Sequence, residues 1–79
     1  MIFLIEYDRS RGDLIDIQAF DDLHRDAAEN ARLRRELILH QKGVRREIVL
    51  LQAASEDALR ETHRRYFEDI ATLAEADLG

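Results

Sequence analysis

A histidine and a tyrosine lie three residues apart in the C-terminal part of the chain, at His63 and Tyr66. On a helix this spacing places both on one face, where an imidazole in an apolar surrounding can share a proton with a phenol. The pair is the best catalytic candidate, yet no nucleophile accompanies it: Ser10 falls in a predicted loop and Ser55 is explained as a helix cap. A partly buried histidine with one hydrogen bond is the commoner interpretation. We therefore expect the protein not to be an enzyme.

The three histidines are the residues that could suggest a metal site, because the chain has no cysteine. His24 and His40 belong to one predicted helix and would lie about 24 Å apart at ~1.5 Å per residue. Glu36 and His40 could form half of a site, but a charged helix face explains them equally well. The spacing matches no standard ligand pattern. We expect no metal and no cofactor.

The middle of the chain is basic. Residues 23–52 have a net charge of +3, whereas the whole chain has −5. Five arginines of this segment could contact phosphate: Arg32, Arg34, Arg35, Arg45 and Arg46. A net acidic protein gains no long-range attraction to nucleic acid or to an anionic membrane. We expect these arginines to form a solvated or interacting face, with nucleic acid as the alternative partner.

Composition is typical of one small folded domain spanning residues 1–79. Hydrophobic residues make up 46% of the chain and charged residues 37%. A domain of this size has a marginal core, and without cysteines oligomerisation is the usual remedy. The apolar start is too short and too soon followed by acids to be a signal peptide. No apolar stretch approaches the ~20 residues of a membrane span. We expect a cytoplasmic protein.

The N-terminal segment predicts a β-hairpin over residues 1–20. Its first strand, residues 2–7, begins with the run Ile2-Phe3-Leu4-Ile5, which is apolar on both faces and therefore belongs in the centre of a sheet. The second strand, residues 14–20, alternates between apolar and polar residues, as an edge strand does. Gly12 supplies the positive φ that a tight loop between them requires.

Two helices and a third strand follow. A helix over residues 22–42 starts at Asp21 or Asp22 and ends before Gly43. A strand over residues 44–52 is again apolar on both faces. Ser55 caps a second helix, which we extend with the acidic tail over residues 55–77. One apolar stripe of that helix contains Leu59, His63, Tyr66, Phe67, Ile70, Leu73 and Ala74.

This β-β-α-β-α order predicts an α+β fold. The two-faced first strand favours a three-stranded antiparallel sheet of order 2-1-3, with both helices on one face. The first helix then spans a split β-α-β unit, as in half of a ferredoxin-like domain.

The first helix carries a polar row, Asp26, Asn30 and Arg34, at intervals of four residues. We expect Arg34 to be sequestered and paired with Asp26, Asn30 or an acid of a partner chain, since a buried unpaired arginine is costly. Apolar strips flank the row on both sides. This pattern indicates that one strip packs against the sheet and the other against the second helix or a partner chain. One of these strips comprises Leu23, Leu33 and Leu37.

With both helices on one face, the opposite sheet face would be apolar and uncovered. We therefore predict a homodimer built on that face, with Glu6 or Tyr7 at its wet rim. The leading functional interpretation is a homodimeric interaction or structural module without catalysis, which another protein could also bind. A nucleic-acid-binding or regulatory accessory protein using residues 32–46 is one alternative. A small-ligand or enzymatic site near His63 and Tyr66 is the other.

Overall fold

A computed structural model of the protein describes residues 1–67. Two strands, β1 (Ile2–Asp8) and β2 (Asp13–Phe20), precede a 3₁₀ turn (Asp22–His24) and the helix α1 (Arg25–Lys42). The strand β3 (Glu47–Gln52), the helix α2 (Glu56–Thr62) and a second 3₁₀ turn (Arg64–Tyr66) follow. None of the helices in this described part is long and apolar enough to cross a membrane.

The sheet has the order β2-β1-β3 and is antiparallel throughout, which confirms the predicted α+β fold. Ile5 pairs with Ile17 on one side and with Val49 on the other. β1 is central because its side chains are apolar on both faces and need cover on both. Since β2 and β3 run parallel on either side of β1, α1 completes the predicted split β-α-β unit.

The two helices lie on opposite faces of this sheet, so the prediction that they share one face is wrong. Phe3 and Ile5 form the buried core with Leu59 of α2 and Tyr66. The alternate residues of β1 face α1, where Glu6 pairs with Arg35. The helices lie on opposite faces because β1 is apolar on both sides, and each side is buried by packing against one helix. Within the described residues each sheet face carries a helix, so the predicted sheet-face dimer has no bare face to use.

The α1 boundaries follow from two predicted signals. Asp21 Oδ1 accepts a hydrogen bond from the Leu23 amide at 3.1 Å and caps the 3₁₀ turn that leads into the helix. Gly43 ends the helix with φ +66°, and the Val44 amide donates to the Leu39 carbonyl at 3.0 Å. Because this closing turn uses Val44, β3 begins at Glu47 rather than at residue 44.

The second helix is shorter than predicted. Ser55 caps it as expected, accepting from the Ala58 amide at 3.1 Å. The chain leaves the helix at His63, whose φ and ψ are −126° and 51°. This break turns Tyr66 onto Tyr7, with ring centroids 5.1 Å apart in an edge-to-face arrangement. The rest of the predicted 55–77 helix, including Ile70, Leu73 and Ala74, lies outside the described residues.

A register shift between Glu6 and Tyr7 places Leu14 opposite Tyr7 and inserts one extra residue into β2. Leu14 and Ile17 pack against the core of the α2 face. Ile15 is the extra residue and is 40% exposed. Strict alternation along β2 would instead have put Ile15 on the same sheet face as Ile17. The face under α1 is held by buried Ile2 and Leu4 of β1 and by two buried residues of the helix, Ala28 and Leu39.

Candidate functional site

The outer side of α1 is the most unusual surface in the described part of the chain. On its inner side, Ala28 and Leu39 are buried and Arg35 is half-buried against the sheet. At 100° per residue, Leu33 and Leu37 then point directly away from the sheet. They are 56% and 55% exposed, respectively.

These leucines belong to a regular line, here called the outer ridge, whose members are separated alternately by three and four residues. The ridge consists of the α1 residues Asp26, Asn30, Leu33, Leu37 and His40, all of them exposed, and exposed Leu23 precedes it in the 3₁₀ turn. Leu23 of the preceding turn is 88% exposed, and together with the ridge residues Leu33 and Leu37 it is among the three most exposed large apolar residues of the described chain. A 4-3 repeat is the spacing with which one helix packs along another.

Charged residues border the outer ridge with opposite signs on its two sides. Glu29 and Glu36 lie along one side, and Arg34 lies along the other. Glu36 Oε1 is also 4.0 Å from Nε of Arg32, which lies four residues earlier on the same helix.

Arg34 is exposed in this single chain, so its predicted sequestration is wrong here. It forms no ion pair with Asp26 or with any other described residue. The reason is helix geometry: the inward position of this segment belongs to Arg35. An acid of a partner chain stays a predicted companion for Arg34.

Two of the five predicted interaction arginines face inward and hold buried carboxylates. Arg35 Nε lies 2.6 Å from Glu6 Oε1, and Arg46 Nε lies 3.3 Å from Glu6 Oε2. Arg46 Nη1 is also 3.4 Å from Asp8 Oδ2. Glu6 is only 4% exposed, which contradicts its predicted place at a wet rim. Tyr7, the alternative for the rim, is half-buried against the core.

Asp8 also closes the hairpin loop. Its Oδ1 accepts from the Ser10 hydroxyl at 2.8 Å, the Ser10 amide at 3.0 Å and the Arg11 amide at 3.2 Å. The Ser10 hydroxyl hydrogen bond is the largest cause that lowers the pKa of Asp8 below its ordinary 3.8, and Arg46 adds to it. Burial opposes this shift.

The remaining arginines, Arg32, Arg34 and Arg45, are exposed. Arg32 and Arg34 lie on α1 and Arg45 lies in the loop before β3. Sequence reasoning missed that Glu6 and Asp8 would engage the other two predicted arginines. The alternation of β1 contained that signal, because acids at positions 6 and 8 share the face of Ile2 and Leu4.

His63 and Tyr66 have separate partners. The His63 Nδ1 atom lies 2.9 Å from the Thr62 hydroxyl, and the two ring centroids are 6.5 Å apart. The Tyr66 hydroxyl donates to Glu47 Oε1 at 3.3 Å and accepts from Arg65 Nη2. Among the described residues the two rings therefore share no proton, because the helix break at His63 removes the spacing on which the catalytic hypothesis relied.

Glu47 and Arg65 form a contact that the sequence did not indicate. Arg65 Nη2 lies 2.9 Å from Glu47 Oε1, and its guanidinium sits 4.5 Å from the centroid of the Tyr66 ring. The hydrogen bond to the Tyr66 hydroxyl is the largest cause that raises the pKa of Arg65. Arg65 and Glu47 therefore both contact Tyr66 of the core, which gives each of them a structural role.

A groove of about 370 Å³ lies between α1 and β2. Its walls combine Leu4 and Ile38 with charged residues, including Arg34 and Asp16. Within residues 1–67 no three His, Cys, Asp or Glu side chains are placed to hold a metal ion. The predicted half-site of Glu36 and His40 therefore gains no further ligand there.

No protein-family model matches the chain, and no curated protein or solved structure is similar to it.

Proposed function

We propose that this protein is a small cytoplasmic interaction module, without catalysis of its own, that works as a homodimer. The observation that carries the proposal is the outer ridge, which presents Leu33 and Leu37 on the outward side of α1, after the still more exposed Leu23 of the preceding turn. Single exposed leucines are ordinary, but a row of them at helix-packing spacing is typical of a contact surface.

The interface differs from the sheet-face dimer that the sequence predicted, because both sheet faces are covered by helices. α1 instead packs on the sheet with one side and presents the ridge with the other. The side chains of Leu33 and Leu37 would each gain up to about 1 kcal/mol on burial, given that they are half-exposed in the monomer. Because α1 is already folded on the sheet, dimerisation would not have to order a helix.

The alternative of a nucleic-acid partner gains little support from the geometry. Arg35 and Arg46 are held by Glu6 and Asp8, so fewer cations are free to meet phosphate. No exposed aromatic of the described chain accompanies the other arginines as a stacking platform.

Sedimentation equilibrium tests the proposal. An interface of one short helix pair is small, so the protein should be studied from about 10 µM to 1 mM. We expect the mass to rise from monomer toward dimer over this range, and Leu33→Lys and Leu37→Lys to abolish the rise while circular dichroism stays unchanged. Ile15→Lys is the matched control, because Ile15 is exposed on β2 and lines a pocket with Gly12 and Tyr66, not with α1. A monomer mass at every concentration would overturn the proposal, as would a dimer that both leucine variants leave intact.

A further inference from the structure

We infer that the two α1 helices of this dimer lie parallel and in register, so that each ridge residue faces its own copy. The inference rests on the proposed function and deepens it by assigning the geometry of the interface. It follows from the heptad positions of the helix and from the charges beside the ridge.

The ridge residues occupy the positions that coiled coils call a and d. Asn30 and Leu37 are a positions, and Leu33 and His40 are d positions. Ala28 and Arg35 then fall at f, the position farthest from the seam, and these residues lie against the sheet. One side of α1 is therefore committed to its own domain, while the ridge on the opposite side is exposed among the described residues.

Charge complementarity selects the parallel arrangement. Glu29 and Arg34 occupy the heptad positions g and e, which flank the a and d positions. In a parallel pair, a g residue faces the e residue five positions later on the other helix, so Glu29 faces the partner's Arg34. Two such contacts of opposite sign form around the two-fold axis. In an antiparallel pair centred on the leucines, e faces e and g faces g, so that Arg34 would meet the partner's Arg34 and Glu36 the partner's Glu36.

Arg34 has no ion pair within the described chain, so it is available for this contact. Its neighbour Arg32 already lies near Glu36.

Asn30 supports the same register. A single asparagine at an a position in a parallel pair faces its own copy, where the two amides hydrogen-bond and specify both alignment and a two-stranded state. Asp26 is the unfavourable member, since it would face the partner's Asp26. It lies in the first turn of α1, where the positive end of the helix dipole stabilises a carboxylate.

Disulfide trapping tests the inference cleanly because the natural chain has no cysteine. The variants Asn30→Cys, His40→Cys and Ile15→Cys would be equilibrated in a glutathione buffer, singly and as mixtures. We expect Asn30→Cys chains to link to one another at least tenfold more than Ile15→Cys chains do. An antiparallel pair would instead link Asn30→Cys preferentially to His40→Cys, and this result would overturn the inference.

A charge exchange provides the second measurement. Glu29→Arg alone should weaken dimerisation about three- to tenfold, and the double variant Glu29→Arg with Arg34→Glu should regain the natural affinity. A double variant no tighter than the single one would contradict the pairing. A dimer that shows neither trapping nor charge rescue would overturn the parallel geometry while leaving the homodimer itself standing. A monomer would overturn both.

Discussion

Glu6 and Asp8 are buried acids on the central strand, and their arginine partners explain how the fold tolerates them. Burying an unpaired carboxylate costs several kcal/mol, so each must have a counter-charge. Arg35 reaches Glu6 from α1, and Arg46 reaches both acids from the loop before β3. These contacts join the hairpin, the helix and the third strand at one end of the sheet.

Glu6→Gln should lower the free energy of unfolding by about 1–3 kcal/mol, because it leaves two arginines without their shared carboxylate. Glu36→Gln is the matched control, since its exposed pairing with Arg32 contributes no more than about 0.5 kcal/mol. Urea denaturation measures both variants. Equal and small losses would show that the Glu6 contacts contribute little.

The depressed pKa of Asp8 makes the protein sensitive to acid. Its stabilisation is present above the ordinary carboxyl value of 3.8 and is lost as the pH falls from there through the lower folded pKa. In Ser10→Ala the largest cause of the shift is removed, so the pKa of Asp8 should rise toward 3.8. A carbon-detected NMR titration of the Asp8 carboxyl checks this. An unchanged pKa in the variant would show that the Ser10 hydroxyl is not its cause.

At the scale of elements, α1 is delimited by local signals, whereas the end of α2 is not. The Asp21 cap and Gly43 act through hydrogen bonds to their nearest neighbours in sequence. The break at His63 coincides with the packing of Tyr66 against Tyr7, a contact between residues distant in sequence.

Gly43→Ala should destabilise the protein by about 1 kcal/mol through backbone strain alone, because φ is +66° and an added Cβ would meet no atom within 4 Å. Gly43→Asn should cost less, since asparagine tolerates the left-handed region better. Thermal unfolding of the two variants gives the comparison. A harmless Gly43→Ala would mean that the helix end can relax to another closing turn.

At the scale of the whole molecule, the three-stranded sheet lies between two helices, and among residues 1–67 this leaves the outer ridge with Leu33 and Leu37 exposed. If the ridge pairs two chains, mass action should make the protein more stable as its concentration rises. The urea midpoint of the natural protein should therefore increase between about 10 µM and 1 mM, whereas that of Leu37→Lys should not. A natural protein with a constant midpoint would argue against dimerisation.

The sequence by itself determined the elements whose signals are local. The two-faced run Ile2-Phe3-Leu4-Ile5 placed the first strand at the centre, and the sheet order 2-1-3 followed. Gly12, Gly43, Asp21 and Ser55 marked the turn and the helix ends, because each acts on backbone groups a few residues away. The leucine strip of the first helix was also visible from periodicity.

Tertiary structure decided which face each helix covers and which arginines are free. Periodicity identifies the apolar side of a helix but not the sheet face that receives it, so the two helices were wrongly expected on one face. The same limit hid the engagement of Arg35 and Arg46 by Glu6 and Asp8, since those contacts join residues far apart in the chain. Only the folded molecule shows that the Leu33 and Leu37 strip points outward, because Ala28 and Leu39 occupy the contact with the sheet.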